Sequence, residues 1–200
     1  MGLGAATLGE SGGTPLPPRV RAVWRGASLA APACTVWCRP GDNLALHVGV
    51  ARALPGQVLA VAVAGTPERG YWGEVLTAAA QARGLLGVVI DGCVRDVAAL
   101  ERRRFPVFGT GVALRGARKE AGGRVGGAVR IGEAEVRPGD WVVGDADGVT
   151  VIAARDLDSA LERSRARSAR EAELFGELRD GATTVELLGL DGSRVADEMV

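Results

Sequence analysis

The chain has 200 residues, 47% of them hydrophobic, which suits one compact domain with a substantial core. Its 24 basic and 24 acidic side chains cancel, so it lacks the positive field that binding to a phosphate backbone requires, and no nucleic acid is expected as a partner. The longest apolar runs, "VLAVAVAG" and "LLGVVI", fall far short of the roughly 20 residues that cross a bilayer, no signal-type leader opens the chain, and Cys34, Cys38 and Cys93 are an odd set; a cytoplasmic protein with free thiols and no membrane contact is expected.

Residues 1–18, "MGLGAATLGESGGTPLPP", are rich in Gly, Pro and small side chains and read as a loosely held, flexible arm. "DNLALHVGVARAL" reads as one helix. It carries the only histidine, His47, which leaves little room for a Ser-His-Asp site or a multi-histidine zinc site, and His47 reads as structural. From residue 57 the pattern becomes regular. "QVLAVAVAG" is a buried strand, "YWGEVLTAAAQAR" a helix stopped by Gly84, and "LLGVVID" a second buried strand. "VRDVAALERRR" then gives a helix and "FPVFGTG" a strand. Strand and helix alternating over short joints predict a parallel βαβαβ core whose strands are covered on both faces. After about residue 124 the style changes to short strands and turns, "GGAVRIG", "EVRPGDWVVGD" and "DGVTVIA", which predict antiparallel pairing. "DLDSALERSRARSAREAELFGELRDG" predicts one long helix with Asp156 as N-cap and Gly181 as stop. The expected organisation is an arm over 1–18, a single α/β domain over 19–180 and a tail over 181–200.

The stretch "GVVIDGCVRD" ends a buried strand on Asp91, Arg95 and Asp96, and "ERGYWGEVL" places Glu74 just after the preceding strand. In a parallel α/β sheet, ligands bind outside the carboxyl ends of the strands, where helix N-termini offer unpaired N–H groups to anions. One reading is ordinary: Asp91 caps the next helix, Arg95 and Asp96 are solvated, and Glu74 favours a helix dipole. The other is chemical. An arginine beside a carboxylate, a second carboxylate one crossover away and glycines at 73 and 92 form a kit for a hard divalent cation and an anionic substrate. Mg²⁺ or Mn²⁺ needs only one or two protein carboxylates, because water and substrate oxygens complete its shell. Lys119 is the only lysine and sits in a polar, glycine-rich loop, so Schiff-base chemistry has almost no candidate. No GxxxxGK[ST] or Rossmann spacing occurs, and Cys34 and Cys38 have no histidine nearby to complete a metal site.

These motifs, "GDNLALHVGVARALPGQVLAV", "WGEVLTAAAQARGLLGVVIDGCVRDVAAL", "FPVFGTG" and "VRPGDWVVGDADGVTVI", together resemble the 4-hydroxy-4-methyl-2-oxoglutarate aldolase and RraA-like family over roughly residues 31 to 175. The resemblance implies a swivelling β/β/α-type domain assembled as a homotrimer or hexamer with sites between subunits. For the aldolase branch it implies a lyase dependent on a divalent metal that splits a 4-hydroxy-2-oxo acid to pyruvate and decarboxylates oxaloacetate. In that pattern Asp96 ligates Mg²⁺ or Mn²⁺ and Arg95 binds the keto oxygen. The turn formed by Gly73, Glu74, Val75 and Leu76 holds the substrate carboxylate, and Glu74 positions a metal-bound water. Thr7 and Glu10 match an N-terminal Thr-x-x-Glu whose acid joins the water network, and Glu171 and Glu173 are candidates for an acid lent by a neighbouring subunit. The RraA branch, protein inhibitors of an RNA-degrading endonuclease, lacks the aspartate of the Arg-Asp pair, which this chain has. Two alternatives stay open: a binding protein of the RraA type, and a specialised biosynthetic lyase or tautomerase with a pocket shaped by Trp72 and Cys93.

Overall fold

The structure is a computed structural model and describes residues 3–65 and 68–196. Among the described residues, thirteen strands and six α-helices follow in chain order. The helices are α1 (Ala5–Glu10), α2 (Leu44–Arg52), α3 (Glu74–Ala82), α4 (Val97–Arg102), α5 (Leu157–Arg179) and α6 (Thr184–Leu187). The strands begin with β1 (Thr14–Pro15), β2 (Arg21–Ala22), β3 (Leu29–Cys38), β4 (Val58–Val63), β5 (Gly87–Asp91), β6 (Cys93–Val94) and β7 (Val107–Gly109). They continue with β8 (Gly111–Val112), β9 (Gly123–Val125), β10 (Val129–Ile131), β11 (Ala134–Val136), β12 (Trp141–Gly144) and β13 (Val149–Ile152).

The main sheet runs β1-β13-β12-β3-β4-β5-β7-β2, with β9 paired to β3. Its centre is parallel: β3 to β4, β4 to β5 and β5 to β7. The expected βαβαβ core is therefore present, flanked by the expected antiparallel strands. Strands β4 and β5 are buried along nearly their whole length because helices and the β10–β11 hairpin cover them, so their sequences are apolar at every position rather than alternating.

β3 is the element that the sequence analysis did not assign, although it is the longest strand and central. Its first half, Leu29 to Pro32, pairs with β12; its second half, from Ala33, pairs with β4. Pro32, which lacks an N–H, stands at this changeover, where a lost ladder bond costs least. Alanine, cysteine and a proline hide the strand from pattern reading.

The loosely held arm needs correcting. From Ala5 to Leu16 it packs onto the sheet: β1 pairs antiparallel with β13, and Leu8 is buried with Val143, Ile152 and Ala160. The Ala5 N–H donates to Asp145 Oδ2 at 2.7 Å. A six-residue helix is too short to show a 3.6-residue period, so its one apolar anchor, Leu8, carries no pattern signal. The long C-terminal helix is present as α5, with Asp156 at its N-cap position but making no side-chain cap bond. Residues 1, 2 and 197–200 of the expected arm and tail lie outside the described residues. Among the described residues, no helix is long and apolar enough to cross a membrane.

Candidate functional site

The charge at the end of β5 divides in two. Asp91 does not cap the following helix; both its oxygens accept from Arg19, Nε and Nη2 each at 2.8 Å, a bidentate fork that ties the segment ahead of β2 to the strand end. Asp96 takes the position expected to be solvated or metal-ligating and is the N-cap residue of α4. Its backbone is left-handed, φ 61° and ψ 34°, a conformation that costs an L-residue about 1 kcal/mol and that aspartate and asparagine tolerate best. Strain of this kind persists only where its surroundings hold it.

What holds it is the start of α3. The Glu74 N–H donates to Asp96 Oδ2 at 3.0 Å, and Arg95 Nε stands 3.8 Å from the same oxygen. The Arg95 N–H donates to the Trp72 carbonyl at 2.9 Å, which zips the two loops together. Gly73 is required by this closeness: a Cβ there would stand 2.6 Å from Asp96 Oδ2 and 3.0 Å from Arg95 Cγ. Gly70 and Gly116 flank Arg95 from the other sides, with ideal Cβ positions 3.1 Å from its Cδ and 3.3 Å from its Nη1. The backbone N–H groups of Val75 and Leu76, in the first turn of α3, have no protein acceptor among the described residues.

Arg95, Gly73, Val75 and Leu76 line one cavity of about 160 Å³. Its other walls are Asn43 and His47 from α2, Gly70, Tyr71 and Trp72, and Lys119 from the glycine-rich loop. His47, expected to be structural, lines this cavity, and among the described residues neither its buried Nε2 nor Asn43 Oδ1 has a hydrogen-bond partner. Burial, then the charge of Lys119, holds the His47 imidazole below its usual range, so it stays neutral near pH 7. The sequence did contain a signal for this wall: Asn43 and His47 are four residues apart at a helix start, hence on one face, and Lys119 is the only lysine.

The other expected residues are placed as follows. Glu74 lies at the site, but its Oε1 accepts from Arg103 Nε at 3.0 Å, which leaves Oε2 as the oxygen with no partner among the described residues. Glu10 does not line the cavity; its carboxylate pairs with Arg167, which also holds Glu171. Glu173 is an exposed residue of α5, and Thr7 lines a groove between α1 and α5. Trp72 borders the cavity but is fully buried, donating from Nε1 to Thr77 Oγ1 at 2.7 Å and stacking on Phe105. Cys93 is outside it, 3.9 Å from Thr110 Oγ1. Burial, reinforced by Asp42, pushes the Cys38 thiol up to about 12, which keeps it protonated and unsuited to a metal.

Among the described residues no group of three or more His, Cys, Asp or Glu side chains could cage a metal. The donor set still fits a hard cation anchored at one point: Asp96 is half-exposed, its Oδ1 accepts no hydrogen bond among the described residues, and it packs against Gly73 and Arg95, which line the cavity, so that water and substrate oxygens could complete a shell.

The Aldolase/RraA (RraA-like) family matches residues 6–151. The chain belongs to this family. A provisionally named 4-hydroxy-4-methyl-2-oxoglutarate aldolase from Halalkalibacterium halodurans is 32% identical over 156 residues, covering 78% of this chain and 74% of that one. A counterpart of the same name from Albidiferax ferrireducens is 34% identical over 70% of this chain and 85% of its own length. The RNA-processing inhibitor RraA from Thermus superposes with a TM-score of 0.69 at 25% identity, covering 76% of this chain and 93% of that one. An uncharacterized protein from Pseudomonas syringae shares the fold over 90% of both chains, with a TM-score of 0.79 at 24% identity.

Proposed function

We propose that this RraA-like protein is a lyase dependent on Mg²⁺ or Mn²⁺ that cleaves a 4-hydroxy-2-oxo acid to pyruvate and also decarboxylates oxaloacetate. The observation that carries the reading is the strained Arg95–Asp96 turn packed on Gly73 beside two unpaired N–H groups of α3. The aldolase names of its relatives support the same reading.

Cleavage between C3 and C4 leaves an electron pair that must be drawn onto the C2 oxygen as an enolate, so the site has to stabilise negative charge there as it develops. Asp96 Oδ1 is the anchor for the cation, and a bound Mg²⁺ or Mn²⁺ would supply Lewis-acid polarisation of the 2-oxo group. The Val75 and Leu76 N–H groups receive the substrate C1 carboxylate at the positive end of α3. Arg95 donates charge-assisted hydrogen bonds to the keto oxygen and strengthens them as charge accumulates. Glu74 Oε2 orients the water that takes the C4 hydroxyl proton, and a proton returns to C3 to give pyruvate. With oxaloacetate the same bond breaks and CO₂ departs, without the hydroxyl deprotonation. Lys119, His47 and Asn43 form the far wall, suited to an anionic group remote from the reacting carbon. In this reading the protein is a cytoplasmic homotrimer or hexamer, and Glu171 or Glu173 is the acid that a neighbouring copy lends to the water network.

The test is pyruvate release from oxaloacetate and a set of 4-hydroxy-2-oxo acids, with and without EDTA. Turnover abolished by EDTA and restored by Mn²⁺ is expected. Turnover insensitive to EDTA contradicts the reading. So does its absence on every substrate, and with a stoichiometric protein partner recovered instead, that result favours a binding role of the RraA type.

A further inference from the structure

We infer that Asp42, which no part of the proposed chemistry uses, is a positioning residue: its buried carboxylate locks the loop bearing Lys119 onto the start of α2 and so fixes the far wall of the cavity. The inference rests on the reading of that cavity as the substrate site.

Asp42 is fully buried, and a buried carboxylate is costly unless its oxygens are satisfied. Here they are. Oδ1 accepts the Leu44 N–H at 2.9 Å, satisfying an orphan donor at the start of α2, while Oδ2 accepts the Glu120 N–H at 2.6 Å and the Ala121 N–H at 2.9 Å. Two backbone bonds complete the seam: Asn43 N–H to the Arg118 carbonyl and Arg118 N–H to the Gly41 carbonyl, both 2.8 Å. The chain is therefore gripped immediately before and after Lys119. That grip is needed because residues 117–122 belong to no helix or strand, and Gly122, at positive φ, adds no stiffness where the loop runs into β9. One carboxylate thus ties Asn43 and His47, on α2, to Lys119, on the loop, in a fixed relation across the cavity.

Helix capping alone would not call for a carboxylate, since asparagine caps as well. Holding both segments does. A carboxylate can accept on both oxygens, whereas an asparagine has one acceptor oxygen and would turn its NH₂ towards an N–H donor. Asp42→Asn should keep the cap of α2 and release the loop.

Because Lys119 is the only lysine, protein labelled with ¹⁵N-lysine gives a single backbone amide signal that reports on this loop. In Asp42→Asn that signal should move towards its random-coil position while circular dichroism stays native. If Lys119 holds a remote anionic group of the substrate, Asp42→Asn, Lys119→Met and the double variant should each raise KM for a 4-hydroxy-2-oxo acid that carries a second carboxylate beyond C4 about tenfold, with kcat changing by less than about threefold, the signature of lost uniform binding. The double variant should be no worse than Lys119→Met alone. A further loss in the double variant, or an unmoved Lys119 signal with unchanged KM, overturns the inference. Should the parent show no turnover, the lyase reading fails separately and the amide signal alone decides on Asp42. Should Asp42→Asn fail to fold, amide exchange in the parent decides: Glu120 and Ala121 should exchange at least about 100-fold more slowly than Gly122, as expected for bonded against free loop amides, and equal rates overturn the inference.

Discussion

His47 shows how one side chain can change role between pattern and structure. On a helix of mixed composition a lone histidine reads as core, yet here its Nε2 is buried without a partner on the wall of the cavity. Burial and Lys119 both disfavour its cationic form, so its pKa in the folded protein lies below the ordinary value of about 6.5. The sign follows: as pH falls through the interval between the unfolded and folded values, the unfolded chain binds the proton more readily, so the contribution of His47 to stability is complete above about pH 6.5 and is lost below it. The imidazole Cε1 proton, a single NMR signal, should titrate with a midpoint below that of a free histidine. Lys119→Met should raise the midpoint without restoring it fully, because burial, the larger cause, remains. A midpoint at or above 6.5 in the parent would show that the imidazole is not confined in this way.

At the scale of elements, the site is made by two loops that can meet only because Gly73 has no side chain. The backbone at Gly73 is extended, so any residue could adopt it; what excludes a methyl group is the Asp96 carboxylate 2.6 Å away. Gly73→Ala should push the Arg95–Asp96 turn away from α3 and lower pyruvate release at least about 100-fold, since displacements near 1 Å at reacting groups cost that much, while the fold loses only about 1–3 kcal/mol. An alanine variant with parental turnover would remove Gly73 from the site. In the sequence Gly73 reads as a place for a ligand to come close and as part of the carboxylate-binding turn; that it also makes room for the Asp96 carboxylate is visible only in the structure. The strands β4, β5 and β7 were legible because full burial makes a strand uniformly apolar, and the helices α3 and α4 because they fill the short joints between such strands, α3 with Gly84 as its stop. β3 and the docked arm were not, because the contacts that fix them, with β12, β13 and α5, come from residues more than a hundred positions away.

For the molecule as a whole, the parallel strands bring the starts of α3 and α4 to one edge of the sheet, and α2 with its tethered loop closes that edge into a cavity. The motif that pointed to Arg95 and Asp96 was legible because the pair is contiguous; the far wall was legible only in part, because Asn43 and His47 share a helix face whereas Lys119 joins them only by folding. Family membership fixes the fold and leaves the chemistry to the site, since RraA-type inhibitors share the same architecture. The central claim is that Asp96 carries the metal, and the most direct measurement is pyruvate release from oxaloacetate as a function of Mn²⁺ concentration for the parent and Asp96→Asn. Asparagine tolerates the left-handed backbone and keeps the volume, so the fold should survive, but it removes the charge that a hard cation needs. The account predicts saturable activation of the parent and, for Asp96→Asn, activity at least about 100-fold lower at the Mn²⁺ concentration that saturates the parent. Equal rates and equal half-saturating Mn²⁺ for the two proteins would contradict it.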